Sequence, residues 1–460
     1  MAKGQNTSAP HQPGQSWSLQ QCIDYAWEHN ISIKQSEISQ DIAKNNVTQS
    51  KGNLLPTVTG LVSQTYNYGL TVNPFTNTFA NGEVTADDFA LTGSFTVFGG
   101  LQNQNTIRQN EATYKASAYD LQSNKNNIAL NIAQAYLQIL LNMELLEEAK
   151  GQQEVSMQEV EHTEKLVDAG SLAKSNLLDI QSQEANDEVN TVTAQNQLDI
   201  STLALVQLLD LDSAQNFRII RPEIAIPENP SIDNPDIVYS TALTNQPDIH
   251  SAQLKWESSE RTKAINQGGL YPRLSVTGSV GTGYSTANVT TVPTIDTIRG
   301  SLNGFPISIP FPSEAEGGII PFSQQFRSNR NESFGFRLTI PILNGLQSNI
   351  AYQNAKLNEQ NAYYNYVTAQ LNLRKNVQQA YADAFAALKK FHAEEKSVAS
   401  LTESYGYTRS KFDVGAATAL DYNTAKTNLA KAESDMLQAK YTYVFKLKVL
   451  DYYEGKPLKL

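Results

Sequence analysis

The feature that most constrains this chain of 460 residues is that its pattern is written twice. The stretch from residue 52, "GNLLPTVTGLVSQTYNYG", corresponds to the stretch from residue 268, "GGLYPRLSVTGSVGTGYS", which sets Pro56 against Pro272. Further on, "FTVFGGLQNQN" corresponds to "LTIPILNGLQSNI", which sets Gly100 against Gly345. Each half is predicted to run helix, strand, loop, strand, long helix, glycine turn and helix. We therefore expect an internal twofold structural repeat.

The placement of proline predicts very long helices in both halves. No proline occurs within 75–221 or within 342–456. Because proline interrupts helix interiors, these spans suit long helices. Their apolar residues recur every three or four positions, with Gln, Asn and Ser on the other faces, which is typical of coiled-coil packing. Each long helix is predicted to extend roughly 100 Å at 1.5 Å per residue.

The predicted organisation has two repeats joined by a linker. The elements are a disordered N-terminal segment 1–16; a first repeat 17–210 with helix 18–54, strands 55–68 and 89–98, long helix 102–169 and return helix 171–210; a linker 211–236; a second repeat 237–453 with helix 237–270, strands 272–284 and 333–343, an intervening long extracellular loop 286–332, long helix 347–414 and return helix 416–452; and a tail 454–460. The loop 286–332 is proline-rich, and we expect either a partial lid over a barrel mouth or a variable surface loop.

The strands have one apolar and one polar face. Phe89 and Leu91 alternate with Thr92 and Ser94, and the other three strands repeat this pattern. About ten residues of such alternation is typical of a transmembrane barrel strand, although a soluble sandwich has a similar period. Four strands cannot close a barrel, and an open sheet edge in lipid leaves backbone groups unpaired. If the strands lie in a membrane, several chains must share one barrel.

Composition and motifs exclude several classes of function. The formal net charge is −11, so a nucleic-acid partner is not expected. The single cysteine, Cys22, permits no disulfide framework and is predicted to be a buried core residue. The histidines have no metal-ligand spacing, and no phosphate-binding loop, nucleophile elbow or zinc-protease helix is present. We therefore expect no enzyme activity, no cofactor and no metal. Residues 1–17 lack the pattern of a signal peptide, so we expect that, if the protein is exported, its leader has been removed.

The chain resembles the TolC-type outer-membrane factors from Trp17 to Tyr453. The resemblance rests on the duplicated plan, on "LLP" and "LYP" before the first strands, on "FGGLQ" and "LNGLQ" after the second strands, and on "LVDAGSLAKSNLLDIQ" with "FDVGAATALDYNTA". It implies an α+β membrane protein: a homotrimeric twelve-stranded β-barrel, four strands per chain, in the outer membrane of a Gram-negative bacterium, continued by a long α-helical coiled-coil tunnel in the periplasm.

The same resemblance implies a function and partners. Such proteins are passive exit ducts of tripartite efflux or type I secretion systems. They contact outer-membrane lipid, a periplasmic adaptor (membrane fusion) protein and an inner-membrane pump of RND or ABC type. Two alternatives are a periplasmic adaptor, which should have one helical hairpin flanked by small β-domains, and a structural coiled-coil protein, which should lack paired amphipathic strands.

The resemblance places Gly170 and Gly415 at the periplasmic tips of the helical hairpins, where the tunnel narrows to a gate and the adaptor docks. Glycine in a left-handed conformation is also the residue expected to end one helix where the next begins. Relatives often carry a carboxylate six residues after the tip glycine; Asp421 matches in the second half. The first half has Asn176 there and Asp179 three residues further on.

Other residues near the tips are candidates for holding the gate. Phe412 lies where some relatives carry a tyrosine, so a latch that needs that hydroxyl is not expected. Salt links that hold the tips shut are predicted for Lys165, Asp168, Lys411 and Asp413.

Four residues are predicted to form the joints between strands and helices: Pro56, Gly100, Pro272 and Gly345. A glycine pair between a strand and a helix, as at Gly99 and Gly100, can bind phosphate. Here the second copy has Asn344 in place of the first glycine, and no phosphate-binding lysine follows. We therefore interpret Gly100 and Gly345 as joints where a strand turns into a helix.

Overall fold

The computed structural model describes residues 16–73, 75, 77–215, 217–224, 226 and 234–459. The predicted disordered segment 1–16, apart from residue 16, and residues 216, 225 and 227–233 of the predicted linker 211–236 lie outside these ranges. The described residues form nine helices and six strands. In chain order these are α1 (Leu19–His29), α2 (Ile31–Gly52), β1 (Thr57–Val72), β2 (Phe79–Gly99), α3 (Gln102–Asp168), α4 (Lys174–Leu208), α5 (Pro235–Asn245), α6 (Pro247–Gly268), β3 (Arg273–Ser285), β4 (Val289–Leu302), β5 (Phe305–Ile319), α7 (Phe322–Ser328), β6 (Asn331–Thr339), α8 (Gln347–Asp413) and α9 (Ala419–Tyr453).

The four longest helices follow the predicted bounds closely. Helices α3 and α8 have 67 residues each, and α4 and α9 have 35 each. None of the helices in the described ranges combines the length and the apolar character needed to cross a membrane.

The prediction of one continuous helix over 18–54 was wrong. Asn30 has an extended backbone and ends α1, and its amide N–H donates to the Ala26 carbonyl oxygen. Its side-chain oxygen accepts from the backbone N–H of Ser32 at 3.0 Å, which starts α2. An asparagine in this position therefore ends one helix and begins the next.

The prediction of one helix over 237–270 was also wrong. Gln246 is extended (ψ 123°) and separates α5 from α6. The reason is Pro247, because a residue before proline is disfavoured in the helical conformation.

The chain divides into two compact units that do not coincide with the two predicted repeats. One contains the described residues of Met1–Lys44 together with Ala112–Glu257 and Gln360–Leu460; the other contains Asn45–Glu111 and Ser258–Glu359. The boundaries 17–210 and 237–453 therefore do not delimit compact units. The reason is that strands from both halves of the chain pair in one sheet.

The core of the first unit is built from apolar seams of helices. The largest cluster includes Cys22 from α1, Ile132 and Tyr136 from α3, and Leu205 from α4. The Tyr136 hydroxyl lies 2.5 Å from the Ile220 carbonyl oxygen, which anchors the segment after α4 to this core. Cys22 is fully buried, as predicted, and burial raises the pKa of its thiol to about 12.

The second unit contains a four-stranded antiparallel sheet in the order β1-β2-β3-β6. The register places Val62, Phe89 and Thr282 side by side, and Thr59, Thr92 and Ser279 side by side on the opposite face. A bulge between Thr96 and Phe98 shifts the last pairs of β2. The apolar sheet face consists of Val58, Val62, Phe89, Leu91, Phe95, Leu274, Val276, Val280, Phe334, Phe336 and Leu338.

The segment predicted as the loop 286–332 is ordered. It forms a hairpin of β4 and β5, followed by α7. Gln325 of α7 is fully buried; its side-chain oxygen accepts from Ser285 N at 2.9 Å, and its amide donates to Ile320 O at 2.8 Å. The sequence suggested a loop because the segment is rich in proline, but proline is compatible with a strand at positions whose N–H would face away from the partner.

Candidate gate and strand–helix joints

The two helical hairpins reverse at glycines, as predicted. Gly170 and Gly415 have φ values of 71° and 73°. Ser171 N–H donates to Leu166 O at 2.8 Å, and Ala416 N–H donates to Lys411 O at 2.7 Å. These bonds across five residues are typical of the Schellman ending of a helix, in which a left-handed glycine satisfies the last carbonyl groups.

Asp421 is engaged in starting α9. Its carboxylate accepts from the Thr418 hydroxyl at 2.7 Å and from Thr418 N–H at 3.1 Å, while the Thr418 hydroxyl accepts from Asp421 N–H. This is a capping box, and the Thr418 hydrogen bonds lower the pKa of Asp421. The first turn differs, since Ala173 caps α4 without a side-chain bond. Asn176 is half-buried and Asp179 is exposed.

The predicted salt links at the tips do not form within the chain. The Lys165 ammonium forms an ion pair with the Glu161 carboxylate, one turn earlier on its own helix, at 2.6 Å. It does not pair with Asp168. Lys411, Asp413 and Asp168 are exposed, and no ion pair joins them to another described residue. A partner four residues away on the same helix is always within reach, whereas a pair at a turn requires the turn to bring both side chains together.

Phe412 belongs to a buried aromatic contact that the sequence did not reveal. Its ring stacks on Tyr422 with centroids 5.0 Å apart and an interplanar angle of 22°. The Tyr422 hydroxyl lies 3.0 Å from the Tyr405 hydroxyl. Burial, and then the Tyr405 hydrogen bond, raise the pKa of Tyr422. Because Ile180 of α4 packs in the same cluster, these rings join α8 and α9 to α4.

Lys426 of α9 forms the most buried ion pair in the described residues. Its ammonium donates to Asp187 Oδ2 at 3.0 Å and to Gln152 O at 3.2 Å, and it contacts Ser156 Oγ. Ser156 Oγ also donates to Asp187 Oδ2. The side chains of Lys426 and Asp187 are only 6% and 9% exposed. The network therefore ties α9 to both α3 and α4.

Sequence reasoning missed this network, although a signal was present. Tyr422, Lys426 and Leu429 occur at four- and three-residue spacing, so the lysine occupies an apolar seam position of α9. A lysine on a seam indicates a buried partner, because an unpaired buried charge is costly. The network borders a cavity of 510 Å³ between α3, α4 and α9, whose lining includes Asn142, Glu148, Gln152, Asp187, Lys426 and Lys431.

Two carboxylates crowd each other beside this cavity. Burial, and then the neighbouring Glu148, raise the pKa of Glu433 to about 7. One carboxylate oxygen of Glu433 is buried without a hydrogen-bond partner in the described structure. The folded state therefore favours the protonated form of this side chain.

We expect the helix packing around Glu433 to weaken as the pH rises. Since the folded pKa lies above the ordinary value of 4.5, the stabilising effect of the proton is complete below about pH 4.5 and is lost as the pH rises through about 7. Between pH 5 and 8 the loss is on the order of 1 kcal/mol, allowing for solvent screening of this half-buried group. Glu433→Gln should flatten the dependence of the melting temperature on pH, whereas Glu164→Gln, at an exposed position, should not. An unchanged pH slope in Glu433→Gln contradicts this assignment.

The strand–helix joints have a left-handed backbone at two consecutive residues. Gly100 and Leu101 have φ values of 62° and 59°, and Gly345 and Leu346 have values of 63° and 65°. Pro56 and Pro272 directly precede β1 and β3. The two joints thus use the same backbone conformation, which fits the interpretation of both glycines as positions where a strand turns into a helix.

The first joint contains a close backbone approach that the second lacks. A Cβ at Gly100 would overlap the carbonyl group of Gly268, and a Cβ at Gly268 would overlap Gly100 O. Gln102 reinforces the contact by donating to Ile265 O at 3.0 Å. At Gly345, by contrast, a Cβ would meet no atom within 4 Å. Gly268 is therefore a joint residue that the sequence did not indicate.

No three His, Cys, Asp or Glu side chains in the described ranges lie together in a way that could hold a metal ion. The features described above are a pair of helical hairpins, which buried contacts hold together, and an amphipathic sheet.

Comparison with known proteins assigns this architecture. The sequence model that describes the outer membrane efflux protein family matches residues 22–210 and 238–451 of this chain. The chain is 22% identical over 442 residues to outer membrane protein TolC of Escherichia coli (strain K12), covering 94% of this chain and 80% of that protein. It is 21% identical over 444 residues to outer membrane protein TolC of Salmonella enteritidis, with the same two coverages.

Solved structures show the same fold. The outer membrane protein VceC from Vibrio cholerae superposes with a TM-score of 0.75 at 16% identity, over 96% of this chain and 97% of that chain. The CmeC outer membrane channel of Campylobacter jejuni superposes with a TM-score of 0.76 at 17% identity, over 95% of this chain and 85% of that chain.

The chain belongs to the outer membrane efflux protein family. It is an outer-membrane protein of a Gram-negative bacterium and acts as the exit duct of an efflux system, together with a periplasmic adaptor and an inner-membrane pump. This assignment decides against the two alternatives, a periplasmic adaptor and a structural coiled-coil protein.

Proposed function

We propose that three copies of this chain form the duct, with a twelve-stranded barrel in the outer membrane and a coiled-coil tunnel of helices in the periplasm. The observation that carries this proposal is the four-stranded sheet, in which the outer edges of β1 and β6 pair with no strand of the described chain. In lipid such edges cost several kcal/mol per unpaired group, so they require closure. Pairing β6 of one copy with β1 of the next closes the barrel and removes every edge.

The two faces of the sheet support a barrel with lipid outside and water inside. The apolar sheet face is exposed in the single chain: Val62 is 74% exposed and Phe336 is 71% exposed. The opposite face carries hydroxyl groups such as those of Thr92 and Ser279. Alternation of this kind is what a lipid-facing wall with a polar lumen requires. The proposed twofold repeat, with two similar halves in each chain, would give the trimer a near-sixfold wall.

We further propose that the two hairpin turns form the periplasmic gate and the adaptor-docking tips. The residues assigned to these tips are Lys165, Asp168, Gly170, Asn176, Asp179, Lys411, Phe412, Asp413, Gly415 and Asp421. Within each subunit, the packing of Ile180 against Phe412 and Tyr422 and the Lys426 network tie the second hairpin to the first. Opening the gate would separate the hairpins, so these contacts favour the closed state.

The energy for transport is proposed to come from a pump of RND or ABC type, with no catalysis by this chain. The duct supplies only a passage, and the adaptor links it to the pump. Nothing in this scheme uses a cofactor, a metal or nucleic acid.

The mass and conductance of the purified protein test the proposal. In detergent, the protein should have the mass of three chains, and in a planar lipid bilayer it should form channels of uniform conductance. A monomeric mass, or failure to insert into the bilayer, would overturn the proposed assembly. A variant with Phe412→Ala should conduct more, because it weakens the cluster in which Ile180 of the first hairpin packs against the second.

We expect Asp421 to contribute to cation preference if its three copies line the gate. Asp421→Asn removes the charge but keeps an oxygen that can accept from Thr418, so the start of α9 is preserved. The reversal potential across a salt gradient should move toward that of an unselective channel. Glu164→Asn is the control, since this exposed carboxylate lies earlier on α3. An unchanged reversal potential in Asp421→Asn contradicts an acidic ring at this position.

A further inference from the structure

The hairpin of β4 and β5 presents an apolar surface that no part of the described chain covers. These two strands pair only with each other in the described structure and form a separate two-stranded sheet. An isolated hairpin is at best marginally stable in water. Some other surface must therefore contribute to its stability.

One face of the distal half of this hairpin is apolar. The register pairs Ile298 with Ile309, Gly300 with Ile307, and Leu302 with Phe305, and side chains of paired residues share a face. We call Ile298, Leu302, Phe305, Ile307 and Ile309 the hairpin apolar face. Leu302 is 65% exposed and Phe305 is 76% exposed. Contiguous exposed patches of this kind mark interaction sites.

Proline closes one edge of the hairpin to further strands. Pro306, Pro310 and Pro312 lie opposite Ser301, Thr297 and Ile295, and therefore fall in alternate pairs on the face opposite the hairpin apolar face. Since proline has no N–H, these pairs must be the ones whose backbone groups point away from the partner strand. The outer edge of β5 thus lacks three hydrogen-bond donors, which disfavours addition of another strand there. The hairpin apolar face carries none of these prolines and is open to a partner.

We propose that the hairpins of the three copies pack against one another through the hairpin apolar face. The inference rests on the trimer proposed above. In that assembly each copy inserts its hairpin at the same place, between β3 and β6. Four strands per copy at about 4.8 Å spacing put neighbouring hairpin bases about 20 Å apart along the wall, whereas 14 residues of strand reach about 45 Å. Each hairpin is therefore long enough to reach its neighbours.

Identical copies suit this contact because the hairpin apolar face is uncharged. Within residues 298–309 the one charged residue is Arg299, which pairs with Ser308 on the opposite face. Asp296 lies on the apolar side but nearer the base, beside Phe311. Like-charge repulsion between copies is thus small. Tethering to one barrel gives the hairpins an effective concentration in about the millimolar range, so that even a weak apolar contact is occupied.

Cysteine cross-linking tests this packing. Ile309→Cys places a thiol on the hairpin apolar face, and the matched control Ser308→Cys places one on the opposite face, one residue away. The native Cys22 is fully buried, with a raised thiol pKa, and should not react. After treatment with a short bis-maleimide, the fraction of covalently linked chains should be roughly tenfold higher for Ile309→Cys than for Ser308→Cys. Leu302→Cys and Ser301→Cys form a second matched pair, which guards against a folding defect at one site.

The outcomes separate this inference from the proposed trimer. If the mass in detergent is that of three chains and neither pair shows a preference for the apolar face, the hairpin contact is overturned while the trimer stands. Equal linking at both faces overturns it as well, because the hairpins then meet without using this surface. If the wild-type mass is that of one chain, the proposed assembly is wrong and the hairpin contact falls with it.

Discussion

Replacing Lys426 with methionine is expected to loosen α9 from α3 and α4. Methionine has a similar length and fills the space, but Asp187 is then left buried without its cation. Removing one partner of a buried ion pair typically costs about 3–5 kcal/mol. Hydrogen exchange in these three helices should therefore become faster. If this network holds the closed gate, the mean conductance in a lipid bilayer should rise in the same variant.

Two further variants make the test specific to the buried charge. Lys431→Met changes an exposed lysine that lines the same cavity, and its effect should stay within about 0.5 kcal/mol. Asp187→Asn added to Lys426→Met should recover part of the lost protection, since it removes the uncompensated charge. Equal exchange rates in Lys426→Met and Lys431→Met would show that the network does not hold these helices together.

The periodic parts of the fold were predictable because they depend on neighbours in sequence. Alternation along β2 placed Phe89 and Leu91 on one face before any register was known, and the register confirms this. The long helices follow from the absence of proline. Helix ends that depend on a single side chain were harder to predict. In the sequence, Asn30 looks like any polar residue of an amphipathic helix, and only its capping hydrogen bonds show that a helix ends there.

The buried polar contacts could not be predicted because their partners lie far apart in the chain. Lys426 and Asp187 are brought together only when α9 packs beside α4, and each is unremarkable in its own helix. The charged residues at the hairpin tips were predicted to pair across the turn, but Lys165 pairs with Glu161 on its own helix. For the hairpin of β4 and β5, proline indicated a loop, and only the register reveals that the prolines fall in alternate pairs.

The strand–helix joints lead to the second large expected effect. Gly100→Val combines a left-handed backbone that disfavours valine with an overlap onto the carbonyl group of Gly268. The backbone strain costs about 1–3 kcal/mol, and displacing packed backbone adds a comparable amount. We expect the fraction of chains assembled into the proposed trimer, measured by mass in detergent, to fall to a small part of that in the wild type.

Two companion variants separate these causes. Gly345→Val keeps the backbone strain but meets no atom within 4 Å, so it should cost about 1–3 kcal/mol and assemble better than Gly100→Val. Gly268→Ala lacks the left-handed backbone but overlaps Gly100 O, so a defect there isolates the close approach. Gly99→Ala is the control, because its Cβ would make only an ordinary contact with Thr96. If Gly268→Ala assembles as well as Gly99→Ala while Gly100→Val and Gly345→Val fail equally, backbone conformation alone sets the joint, and the contact between Gly100 and Gly268 has no structural role.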